Sequence, residues 1–73
     1  MMSASAMNKC LNASRRYHNK ALKCIEQGLK EADQAKKEQL SMYAQMYFRQ
    51  SHHYSDMIMR EIKEREEAQN DNQ

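Results

Sequence analysis

Apolar and small residues recur every three or four positions through the first half of the chain: Met7, Cys10, Ser14, Tyr17, Ala21, Cys24, Gly28, Ala32 and Ala35, with Leu11, Leu22, Ile25 and Leu29 widening the stripe. This is the period of an amphipathic helix, and Ser3 or Ser5 supplies the capping hydroxyl at its start. One row within it, Ser14, Ala21, Gly28 and Ala35, is small at every seventh position, which suits the close approach of a second helix. The second half repeats the period with larger residues. Leu40, Tyr43, Ala44, Tyr47, Ser51, Tyr54, Ile58 and Ile62 form one stripe, and Met42, Met46, His53 and Met57 form a second beside it.

The pattern predicts an all-α antiparallel two-helix hairpin, helix 1 over about residues 4–31 and helix 2 over about 37–66, belonging to a helical bundle or coiled-coil assembly. Residues 1–66 form the single hairpin domain, and 67–73 are a polar tail expected to fray. The join is weakly marked. Gly28 is the strongest breaker and EADQAKKEQ has only Asp33 as a turn former, so the reading is a turn within 31–38 or one continuous helix from 5 to 66. A register that sets small against small and large against large pairs Ala21 with Ser51, Gly28 with Ala44, Tyr17 with Tyr54, and Cys24 with Tyr47 or Phe48.

Composition fits this reading. The 73 residues include no Pro, one Gly and no Trp, and good helix formers dominate. A chain this short has a marginal core unless a disulfide, a metal or a partner adds to it. Cys10 and Cys24 would lie about 21 Å apart on one helix, beyond disulfide reach, so both are expected to be free thiols. No stretch is long and apolar enough for a membrane span and the start has no signal-peptide core; a cytoplasmic, reducing location is expected.

The net charge is +2, but residues 1–30 carry six Lys/Arg and one Glu, while 31–73 carry six Lys/Arg and nine Asp/Glu. Lys9, Arg15 and Arg16 near the start of helix 1, and Glu61 and Glu64 near the end of helix 2, each oppose the local helix dipole. Antiparallel folding is expected to bring the two sets together and fix the orientation.

Residues 41–59, SMYAQMYFRQSHHYSDMIM, collect four of the seven methionines, three of the four tyrosines and two of the three histidines. Thioether, imidazole and thiolate are soft-metal ligands, yet Met42 to Met57 spans about 22 Å of helix, too long for one site, and no CxxC, HxxxH or HExxH occurs. No metal site or cofactor is expected. Of the adjacent histidines, His53 is expected beside the interface and His52 in solvent. Catalysis is not expected either, since the chain has no nucleophile elbow, no phosphate-binding glycine loop and no room for a useful pocket, nor is a small-molecule substrate.

The remaining reading is protein association. A hairpin covers one stripe of helix 2 and leaves the other, so a second copy in a four-helix bundle or a partner helix would cover the rest. Tyr43, Met46, Tyr47, Tyr54, Met57 and Ile58, with Met42 and His53, are the expected contact residues of such an adaptor, co-chaperone or regulatory subunit. The alternative is a small helical dimer that binds RNA or DNA through the basic flank of helix 1. In architecture the hairpin resembles the small co-chaperones of type III secretion and helical adaptor modules, and GLKEADQAKKEQLSMYAQ is similar in its Gly-to-Ala spacing to tetratricopeptide-type and microtubule-interacting-and-transport helices. These likenesses lie in helix spacing and imply no particular functional residues.

Overall fold

The computed structural model describes residues 2–71. It consists of two helices, α1 (Ala4–Lys30) and α2 (Gln34–Asp71), packed antiparallel as a hairpin. Ser3 caps α1 by accepting a hydrogen bond from the Ala6 N–H at 3.1 Å. Glu31 leaves the helix in extended conformation, its N–H donating to the Gly28 carbonyl at 3.3 Å. Asp33 then starts α2, its Oδ1 accepting from the Ala35 N–H at 2.9 Å. The reversal therefore takes only residues 31–33, and it is made by two caps rather than by Gly or Pro.

Helix 2 is longer than its apolar stripe at both ends. Capping by Asp33 starts it at Gln34 rather than near 37, and it continues through 67–71, where fraying was expected. The segment EIKEREEAQND is polar but made mostly of helix formers, and propensity carries it where burial does not. Residues 72 and 73 of the expected tail lie outside the described residues.

The buried seam is made of small side chains: Cys10, Ser14 and Ala21 from α1, Ala44 and Ser51 from α2. Ala21 has no exposed surface at all. At the centre the helices exchange hydroxyl bonds. Ser14 Oγ donates to the Ser51 carbonyl at 3.1 Å and Ser51 Oγ donates to the Ser14 carbonyl at 2.9 Å. Ser14 Oγ also lies within hydrogen-bond distance of Ser55 Oγ, at 2.8 Å. No buried side-chain polar atom among the described residues lacks a partner.

The register differs from the expected one. Ser14, not Ala21, meets Ser51, and Leu40 rather than Ala44 stands over Gly28, 3.9 Å from where a Cβ would be. The physical reason is the short turn. The chain reverses about Ala32, roughly one helical turn before the point near residue 36 that the expected register needs. Tyr17 reaches both Tyr54 and Tyr47, stacking on them at 5.9 and 6.2 Å between centroids.

Candidate interaction surfaces

The slid register also moves the expected orientation charges apart. Glu61, only 4% exposed, lies opposite Met2 and forms no ion pair with Lys9, Arg15 or Arg16. Its Oε1 accepts from the Met2 N–H at 3.0 Å and from Arg65 Nε at 3.2 Å, while Arg65 Nη2 donates to the Met2 carbonyl at 2.7 Å. Arg65–Glu61 is the only ion pair among the described residues, so Lys9, Arg15, Arg16 and Glu64 pair with no opposite charge there. The acidic end of α2 is held by its own arginine and by the start of the chain.

The contact residues expected on α2 divide by face. Tyr47, Tyr54 and Ile58 are half-buried against α1, and Met57 is also half-buried. Met42 (65% exposed), Met46 (55% exposed), Tyr43 and His53 are open to solvent. Tyr43 accepts a hydrogen bond from Gln39 at 3.2 Å, and the His53 ring stands edge-on to Tyr54 at 5.4 Å. Lys20 spans the aromatic ladder, its Nζ 5.5 Å from the Tyr17 centroid and 5.7 Å from that of Tyr47.

On the opposite side of the hairpin lies a surface that the helical pattern alone did not assemble. His52 is exposed, as expected, and borders a hollow of about 380 Å³ between the helices, lined also by Ser14, Arg15, His18, Asn19, Ser51 and Ser55. Next to it a hollow of about 310 Å³ is lined by Ile25, Leu29, Ala44 and Phe48 together with Lys37, Ser41 and Gln45. Both are open troughs between the helices rather than enclosed cavities. The row Leu11, Leu22, Ile25, Leu29 was visible on α1, without His18, but only the register tells which α2 residues complete it.

No group of three or more His, Cys, Asp or Glu among the described residues is placed to hold a metal ion. Cys10 and Cys24 are both free thiols, Cys10 buried and Cys24 half-buried. No described helix is long and apolar enough to cross a membrane. The fold thus defines an all-α helical hairpin with large apolar side chains on its outer faces. No known family model matches the chain, and no curated protein or solved structure is significantly similar to it.

Proposed function

We propose that the protein is a non-catalytic protein–protein interaction module, an adaptor, co-chaperone or regulatory subunit, that covers its Met/Tyr face with a second copy or a partner helix. The observation that carries this reading is an inversion of size: the buried seam holds small residues, while Met42, Tyr43 and Met46 on the Met/Tyr face are exposed, Met42 at 65%. Burying one such side chain is worth about 1.5–3 kcal/mol, so covering several would match the whole stability of a small domain. Exposed area agrees. The chain presents 5979 Å², against roughly 4,700 Å² for a compact protein of its mass. The surplus, about 1,200 Å², exceeds the roughly 800 Å² that each partner buries in a standard interface. Met42 and Met46, with flexible thioether side chains, suit a surface that adapts to its partner.

Sedimentation velocity of the pure chain across micromolar concentrations tests self-association, and Met42→Gln with Met46→Gln should shift the assembly toward monomer. A chain that stays monomeric and still melts at high temperature would overturn the need for any partner.

One observation favours a second reading. With Glu61 held by Arg65, the six cations of residues 1–30 have no acidic partner among the described residues, which leaves a basic flank for RNA or DNA. Binding to a random oligonucleotide that falls steeply with salt would support it; none at low salt would remove it.

A further inference from the structure

We propose that a second copy of this chain packs antiparallel on α1 along the row Leu11, Arg15, His18, Leu22, Ile25 and Leu29. The proposal rests on the association reading in taking the hairpin to need a partner, but it uses a different face and names the partner.

The row lies beside the surface that α2 covers, not within it. Its spacings alternate four and three, the period at which the side chains of two helices interlock. Ser14 and Ala21, the small residues buried against α2, each stand one residue before a member of the row, about 100° around the helix. The hairpin therefore uses the small residues and leaves the row open: Leu11, Leu22 and Ile25 are exposed, and Leu29 is 80% exposed. The row belongs to the side of the hairpin that holds Phe48, since the His18 and Phe48 rings meet at 5.5 Å and Ile25 and Leu29 share a hollow with Phe48. Met46 stands two residues before Phe48, roughly 200° around α2. The row and the Met/Tyr face are thus separate surfaces.

The two polar members of the row select both the partner and its direction. When two such rows run antiparallel, Leu29 meets the second copy's Leu11, Leu22 meets its His18, and Arg15 meets its Ile25. Every layer then holds at least one aliphatic side chain, and Arg15 can lay its methylene stem on the isoleucine while the guanidinium reaches solvent. A parallel pair would set Arg15 against Arg15 and His18 against His18, stacking like charges in the middle of the seam. The row is its own complement only when reversed. The residues one step beyond it agree: reversal places Glu26 near the second copy's Asn12 and Asn19 near its Asn19, with no like charges opposed. Antiparallel α1 helices also bring opposite dipole ends together.

Cross-linking tests the direction. Leu11→Cys and Leu29→Cys are made separately in full-length chains carrying Cys10→Ser and Cys24→Ser, and each is oxidised alone and in a mixture. In an antiparallel pair the introduced thiols of one variant lie roughly 27 Å apart, so neither variant should cross-link with itself, and the mixture should give the 11–29 disulfide, read by peptide mass. With the native cysteines in place, Leu29→Glu should keep its helicity and raise the dissociation constant of the pair about a hundredfold or more in sedimentation, because each pair loses two leucine contacts. Ile25→Glu, set against the second copy's Arg15, should raise it less. Met42→Gln with Met46→Gln should leave the 11–29 disulfide unchanged, so failure of the Met/Tyr face is seen separately. A wild-type chain that stays monomeric, either cysteine variant cross-linking with itself, a mixture without the 11–29 disulfide, or a Leu29→Glu chain that sediments as wild type would each overturn the proposal.

Discussion

Ala21 and Gly28 stand in the same row of small residues, yet the structure gives them opposite tolerances. Ala21 is fully enclosed between the helices, so Ala21→Leu must push them apart and should destabilise by about 1–3 kcal/mol in chemical denaturation. A Cβ at Gly28 would meet Leu40 at 3.9 Å, an ordinary contact, and the position is helical without positive φ. Gly28→Ala should therefore stabilise the hairpin by about 0.5–1 kcal/mol, read as a raised melting temperature. The row itself was legible from its seven-residue spacing. That only part of it is sterically required was not, because spacing tells which residues share a face and says nothing of the distance to the facing helix. Ser14 and Ser51 are a further case. A serine in an amphipathic stripe reads as a weak core position, and nothing in one helix reveals that its hydroxyl will find a carbonyl on the other.

At the level of the helices, caps and turn decide what the apolar pattern leaves open. Asp33 was the one turn former in its segment and it caps α2, so Asp33→Ala should cost about 1 kcal/mol and loosen the reversal, measurable by amide exchange of residues 34–37. The two helices and most of the stripe of α2 that packs on α1 were readable from periodicity, although Tyr43 and Ile62 of that stripe are exposed. Register was not, because the expected pairing relied on matching large to large, and Tyr17 satisfies that rule with Tyr47 and Tyr54 alike. Charge misled for a related reason: Lys9 and Glu61 complement each other in sign, but the early reversal carries Glu61 past them to Met2. Glu61→Ala should leave Arg65 and the Met2 N–H short of their acceptor, at a cost of about 1–3 kcal/mol. Exchange protection should fall first at the end of the hairpin that holds the N-terminus, with the 31–33 turn unaffected.

The whole molecule is a rod of 60 × 19 × 13 Å with a radius of gyration of 17.1 Å, where a compact chain of this length has about 11 Å. A rod two helices wide has two broad sides and no interior, so each side must find its own use. Substitutions at Met42 and Met46, both exposed, should alter the sedimentation of the pure chain.

The paired hydroxyls of Ser14 and Ser51 bear on how the hairpin responds to temperature. Because the fully buried seam is hydroxyl, thiol and methyl groups flanked by half-buried tyrosines, parting the helices wets less hydrocarbon than opening an oily core does. The heat-capacity increment of melting for the isolated chain should fall below the usual 12–15 cal/mol/K per residue. Its stability curve would then be nearly flat with temperature, without the steep loss on cooling that oily cores show. Any partner that covered the outer leucines and methionines would restore that curvature, so calorimetry of the chain alone and in a complex would register the arrival of a hydrophobic interior that the hairpin by itself does not possess.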